Sequence, residues 1–230
     1  MRSISENLEQ IRLQIEKACN DCGRNSDEVT LIAVSKTKPN EAIIDACTAG
    51  QFHFGENRMQ ELQDKMNSIE LPGIQWHMIG TMQSNKIKYI ADRVNWIHSV
   101  SKAKYLTEIN KRAEASGRVI NVLIQVNISG EDQKSGCEVS DLNSILEHAK
   151  NLPNIIVKGL MGLATFTDNP EEIRHEFALL RNTMMDHASQ NGENVDLKEL
   201  SMGMSGDFKI AIEEGATMIR VGSAIFGSRN

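Results

Sequence analysis

Val29-Thr30-Leu31-Ile32-Ala33-Val34-Ser35-Lys36-Thr37-Lys38 is a short apolar run, largely β-branched, that stops abruptly at a serine and two lysines. A strand with one wet face alternates apolar and polar side chains. An unbroken run such as Leu31 to Val34 instead belongs to a strand buried on both faces, as in a parallel sheet. The segments around it repeat the theme. Ile4 to Cys19 carries Ile4, Leu8, Ile11, Ile15 and Ala18 at helical spacing and predicts an amphipathic helix before the first strand. Asn40 to Ala49 reads as a helix after Pro39, ended by Gly50.

Strand and helix then alternate along the chain. Phe52 to Phe54, Ile74 to Ile79, Val94 to His98, Val119 to Val126, Ile155 to Leu160, Leu197 to Leu200 and Thr217 to Val221 read as strands. Between them, helices are expected at Arg58 to Met66, Asn85 to Ala91, Lys102 to Ser116, Val139 to Lys150, Pro170 to Ser189 and Asp207 to Glu214, with a last turn at Ala224 to Phe226. Alternating units with short connections imply a parallel sheet. Eight such units in 230 residues match a (β/α)8 TIM barrel, whose usual size is about 250 residues. The competing architecture, a doubly wound open sheet, calls for G-x-G-x-x-G after the first strand, where this chain has Ser35-Lys36-Thr37-Lys38. The expected fold is therefore α/β, a single TIM-barrel domain over 1–230 with an extra N-terminal helix.

Composition narrows the function classes. Hydrophobic residues make up 40% and charged residues 24%, an ordinary globular mix. With 25 Lys+Arg against 31 Asp+Glu the chain carries −6, and no dense basic run offers a nucleic acid or an anionic membrane a surface. The polar, acidic start at Ser3 to Asn7 is unlike a secretory signal, and no apolar stretch approaches the roughly 20 residues of a membrane span. These features predict a cytoplasmic protein without nucleic-acid or membrane partners. Cys19 and Cys22 have C-x-x-C spacing but precede the first strand, and no second close pair completes a zinc ribbon with Cys47 or Cys137. The six histidines, at 53, 77, 98, 148, 175 and 187, show no H-E-x-x-H spacing. Reduced thiols and no metal are expected.

In a barrel of this kind, chemistry sits where strands end. Lys36 follows the first strand, pointed toward a closed interior where desolvation disfavours an ammonium and favours the neutral amine a Schiff-base nucleophile needs. The plainer reading is a surface lysine beside Lys38. The last two strands end in Ser205-Gly206 and Gly222-Ser223, small residues whose hydroxyls and backbone N–H groups suit a phosphate. The plainer reading there is glycines that only turn corners. A reactive lysine across from a phosphate site suggests either a Schiff-base aldolase acting on a sugar phosphate or a pyridoxal 5′-phosphate (PLP) protein. Strand alternation can turn Arg220 inward, where it could meet the pyridine nitrogen of the second.

Several motifs lie in order along the chain: Ala33-Val34-Ser35-Lys36-Thr37-Lys38-Pro39, Phe54-Gly55-Glu56-Asn57, Trp76-His77-Met78-Ile79-Gly80 and Gln83-Ser84-Asn85-Lys86. They continue with Lys134-Ser135-Gly136, Gly159-Leu160-Met161, Leu200-Ser201-Met202-Gly203-Met204-Ser205 and Ile219-Arg220-Val221-Gly222. From Ile4 to Arg229 the sequence resembles the YggS/PROSC family of pyridoxal phosphate homeostasis proteins. The resemblance implies a barrel of the alanine-racemase N-terminal type (PLP fold type III). It implies PLP held on Lys36 as an internal aldimine, phosphate contacts from Ser205, Gly222 and Ser223, and Arg220 at the pyridine nitrogen. Asn57 and His77 would line the pocket, and Met204 would form its wall. The chain departs from the family at Arg58, where an aromatic is usual, and at Ser223, Gly206 and Gly162.

Racemisation needs a base on each face of the substrate carbanion, commonly a lysine and a tyrosine. Tyr89 and Tyr105 both fall in expected outer helices. The resemblance implies that racemases take that tyrosine from a second β domain across a dimer, and a chain ending at Asn230 is expected to lack it. An arginine donates to an unprotonated ring nitrogen and so weakens the electron sink. A carrier that buffers and delivers PLP in vitamin B6 homeostasis, without robust turnover, is the expected function, with a PLP-dependent amino-acid racemase as the alternative. Expected partners are PLP, amino acids and apo-enzymes, and the expected state is a monomer. Lys38 and Lys134 are the candidate amines for transimination.

Overall fold

The computed structural model describes residues 2–130 and 135–227. Eight parallel strands close on themselves in sequence order, β1 (Thr30–Val34), β2 (His53–Glu56), β3 (Gln75–Met78), β4 (Trp96–Val100), β5 (Ile120–Gln125), β6 (Ile155–Met161), β7 (Val195–Met204) and β8 (Met218–Val221). Register across the closing seam pairs Ile32 with Arg220 and Ala33 with Val221. The barrel is the fold expected from the alternation of strand and helix.

Helix α1 (Ile4–Asp21) precedes β1 and is started by a capping box in which Ser3 and Glu6 bond each other's backbone N–H. It buries Leu8, Ile11, Ile15, Ala18 and Cys19. The outer ring continues with α2 (Asn40–Thr48), α3 (Met59–Ser68), α4 (Ala103–Ala115), α5 (Val139–Ala149), α6 (Pro170–Asp186), α7 (Phe208–Glu213) and the short α8 (Ser223–Phe226). Among the described residues, no helix is long and apolar enough to cross a membrane.

Three elements differ from the sequence expectation. Between β3 and β4 the chain forms a 3-10 segment, Ser84–Tyr89, where an α-helix was expected over Asn85 to Ala91. Val94 belongs to the turn after it, its N–H bonded to the Ile90 carbonyl, so β4 begins only at Trp96. Strand β7 runs to Met204, well past Leu200, because Ser201 and Met202 are buried in the sheet while looking loop-like in sequence. Gly203 makes that extension possible: its φ is +91°, and a Cβ there would stand 2.6 Å from the Ala211 Cβ.

The turn after β1 is held from behind. Lys38 N–H bonds the Ser35 carbonyl and closes a four-residue turn with Lys36 and Thr37 at its centre. Thr37 has φ +63°, a left-handed conformation that β-branched residues rarely adopt and that costs about 1–3 kcal/mol. Its N–H donates to Glu61 Oε1 at 2.5 Å. Glu61 in turn accepts from Lys65 Nζ at 2.7 Å, and the same ammonium donates to Glu56 Oε1 at 2.7 Å and the Ser35 carbonyl at 2.8 Å. The three donors of this buried ammonium thus have three acceptors. Ser35 Oγ completes the cluster by donating to Glu56 Oε1 at 2.6 Å. Burial pushes the Glu56 carboxyl upward and the Lys65 ammonium opposes it.

Lys65→Met is expected to lower stability by about 3–5 kcal/mol, since it strands a buried carboxylate. Adding Glu56→Gln should recover part of that loss. Urea denaturation of the two variants checks this. A loss of under about 1 kcal/mol, the range of an exposed pair, would mean the cluster does not clamp the turn.

Candidate cofactor site at the strand ends

Side chains on a strand alternate between faces, so the parity of β1 decides where Lys36 points. Ile32 is packed inside the barrel with Leu123, Met161 and Met218, and Val34 and Lys36 follow on the same face. The two lie on the wall of a cavity of about 480 Å³ at the strand C-terminal ends. That size suits a small cofactor. Lys36 is half-buried rather than sealed off, and among the described residues no hydrogen bond or ion pair engages its ammonium.

The same cavity gathers Asn57 from the end of β2, Met204 and Ser205 from the end of β7, Arg220 from β8, and Gly222 and Ser223 from the loop after β8. Asn57 is placed by Gly80, because a Cβ at position 80 would fall 2.1 Å from the Asn57 carbonyl oxygen. Ser223 and Ala224 open α8, and their N–H groups have no intrahelical acceptor by position. Lys38 Nζ donates to the Gly227 carbonyl at 3.2 Å and ties the β1 turn to the far end of α8.

Arg220 forms the deep polar part of the site. It is buried, donating from Nη1 to Ser201 Oγ at 2.5 Å and from Nη2 to the Gly162 carbonyl at 3.0 Å. Burial lowers its pKa to about 10, with Asp207 pulling the other way, so it stays a cation at neutral pH. The guanidinium has five N–H donors and no acceptor, which leaves donors for the cavity it lines. Asp207 receives the Met204 N–H on Oδ1. Burial pushes its carboxyl up, while that hydrogen bond and Arg220 pull it down.

His77 stands apart from the other expected residues. It is wholly buried, and its ring stacks on Trp96 at 5.9 Å with 5° between planes. Ile79, two residues on and of the same parity, lines the cavity instead, so His77 lies one layer beneath the site and not on its wall. Lys134 lies outside the described residues.

Sequence reading missed Val34, Ile79, Met161, Leu163, Phe166 and Asp207 on the wall. Strand parity counted forward from His77 and Ile32 would have found Ile79 and Val34. An acid at the start of the α7 pattern could have pointed to Asp207. Phe166, fully exposed at the rim, carries no such signal.

The donor set fits a pyridoxal phosphate. Of the charged residues described on the wall, Lys36, Lys38 and Arg220 are cations and Asp207 is the one acid, a balance that favours an anion. Small residues and free N–H groups line one rim, and the floor holds a cation that can only donate.

Residues 7–230 match the family described as alanine racemase, N-terminal domain. The pyridoxal phosphate homeostasis protein of Haemophilus influenzae is 40% identical over 230 residues, covering 99% of this chain and 97% of that protein. Its counterpart in Aquifex aeolicus is 41% identical over 224 residues, covering 97% of each. Among solved structures, PipY of Synechococcus elongatus with PLP bound superposes with a TM-score of 0.85 at 35% identity, covering 98% of this chain and 100% of that one. Alanine racemase of Corynebacterium glutamicum shares the fold, with a TM-score of 0.73 at 16% identity over 98% of this chain and 61% of that one. A barrel of this type, with full-length relatives at about 40% identity, places the chain in the YggS/PROSC family of pyridoxal phosphate homeostasis proteins.

Proposed function

We propose that the chain holds pyridoxal 5′-phosphate on Lys36 and serves as a cytoplasmic, monomeric carrier that buffers and delivers the cofactor within vitamin B6 homeostasis. The observation that carries the reading is a single cavity bringing the Lys36 amine, unpaired among the described residues, together with the serine–glycine rim and buried Arg220. When bound, PLP supplies an aldehyde that a neutral lysine amine can capture and a phosphate that an anion site can anchor.

This chain's residues divide the work. Ser205 and Ser223 offer hydroxyls to phosphate oxygens, and the N–H groups of Ser223 and Ala224 add backbone donors. Arg220 would donate to the ring nitrogen and favour its unprotonated form, since an arginine has no proton acceptor to offer and does not readily give up its own proton. Asn57 and Met204 would border the ring, and Val34, Ile79 and Met161, on the same wall, would exclude water. The Lys65 cluster holds the turn so that the amine meets the cavity without reordering the backbone.

The carrier reading without robust turnover draws on the tyrosines. Tyr89 lies on the outer 3-10 segment and Tyr105 on α4, and neither lines the cavity. Hand-over to an amino acid or an apo-enzyme would take place at the open rim, where Phe166 and Met204 are exposed.

Purified protein mixed with PLP should develop a visible absorbance band that Lys36→Ala abolishes. Borohydride reduction and peptide mapping should place a pyridoxyl group on Lys36. An adduct on Lys38 with none on Lys36 would reject the assignment. The Ser205→Ala/Ser223→Ala double variant should weaken PLP binding about a hundredfold or more, since each of the two lost hydrogen bonds to a charged group is worth about 1.5–3 kcal/mol, while leaving pyridoxal binding unchanged. Equal losses for both ligands would remove the phosphate from this rim. Loaded protein incubated with L- or D-alanine should leave chirality nearly unchanged, whereas rapid racemisation would restore the enzyme reading.

A further inference from the structure

A run of polar side chains crosses the barrel beneath the cavity, and the cofactor site as described uses only its last member. His53 Nδ1 lies 3.0 Å from His77 Nε2, His77 Nδ1 lies 2.9 Å from His98 Nε2, and His98 Nδ1 lies 2.9 Å from Ser201 Oγ. Arg220 Nη1 then donates to the same Ser201 oxygen at 2.5 Å. The members come from β2, β3, β4, β7 and β8, so the run spans the barrel from one wall to the other. His77, His98 and Ser201 are wholly buried, and His53, at the start of β2, is half-buried.

The run has only one consistent direction. Burial holds His77 and His98 well below the ordinary imidazole range, so both rings are neutral, each with one N–H and one bare nitrogen. Both nitrogens of each ring are engaged, so fixing one proton fixes the rest. Arg220 can only donate, so Ser201 Oγ accepts from it. Suppose His98 Nδ1 also donated to Ser201. The serine proton would then be buried without an acceptor, because among the described residues Ser201 Oγ meets only His98 and Arg220. Ser201 therefore donates to His98 Nδ1, His98 Nε2–H donates to His77 Nδ1, and His77 Nε2–H donates to His53 Nδ1.

We propose that His98, His77 and His53 are positioning residues for Arg220: their one-way hydrogen-bond chain turns the Ser201 hydroxyl proton away from the guanidinium and keeps Ser201 Oγ as the acceptor that orients Arg220 at the cavity floor. What Arg220 faces rests on the PLP reading, whereas the direction of the chain does not. Trp96, stacked on His77, keeps the middle ring from turning. The histidine pairs spend their ring nitrogens on one another, and among the described residues no His, Cys, Asp and Glu grouping could hold a metal ion.

Long-range proton–nitrogen NMR of the unloaded protein reads the tautomers directly. His77 and His98 should each carry the proton on Nε2, and an Nδ1-protonated ring at either position would overturn the proposal. His98→Leu should shift the Arg220 guanidinium resonances in the unloaded protein. In the loaded protein it should move the visible band and weaken PLP binding at least fivefold. His98→Asn, whose amide oxygen can take the place of Nδ1, should restore most of both, as should Ser201→Thr in place of Ser201→Ala. A folded His98→Leu protein with unchanged Arg220 resonances would sink the positioning role. Should His98→Leu fail to fold, the wild-type tautomers and the Ser201 pair of variants still decide. Expected tautomers in a protein that never takes up PLP would leave the chain standing and defeat the cofactor reading instead.

Discussion

Closing eight parallel strands into a ring leaves every second side chain facing a space with no solvent, and this constraint governs the rest of the molecule. On the lower levels the space is filled by Ile32, Leu123, Met161 and Met218. At the strand C-terminal ends the filling stops and a cavity opens, so residues of the same parity a step further on become its wall. Val34 and Lys36 follow Ile32, and Ile79 follows His77. Arg220 has the inward parity of Met218 and is the buried cation among the inward polar residues, stabilised because two acceptors, Ser201 and the Gly162 carbonyl, reach it.

The two halves of the site are supported differently. The amine side stands on a turn clamped by a buried ammonium with two carboxylates and a carbonyl around it. The opposite rim relies on small residues and on backbone donors at the start of a very short helix, with Lys38 bridging to its end. Charge is concentrated where an anion would lie, while apolar side chains form the surface under a ring. The full-length relatives from Haemophilus influenzae and Aquifex aeolicus are named for pyridoxal phosphate homeostasis, and PipY has been solved with and without PLP.

Much of this was legible in the sequence, and the reasons differ by element. The barrel followed from the unbroken apolar runs, since only doubly buried strands lack alternation, and Val119 to Val126 and Leu31 to Val34 both show it. Lys36, Asn57, Ser205, Arg220, Gly222 and Ser223 were reachable because strand ends mark the mouth. His77 was legible as inward-facing but not in depth: parity fixes the face, whereas the layer depends on the stagger between strands. The Lys65–Glu56 pair was hidden because nothing in a helix pattern distinguishes a lysine turned into the protein from one turned to water. The histidine run was hidden for a related reason, as its members lie on strands far apart in the chain and meet only through closure.

Thr37 shows what the clamp achieves. A chain segment that must order itself around an incoming molecule loses conformational freedom at that moment, and affinity falls accordingly. Here the left-handed backbone at Thr37 and its bond to Glu61 are set when the protein folds. The entropy of that loop has already been surrendered, so an aldehyde captured at Lys36, as proposed, would need to select only among rotamers of one flexible side chain. For the proposed carrier, loading and unloading would then proceed over a stationary backbone.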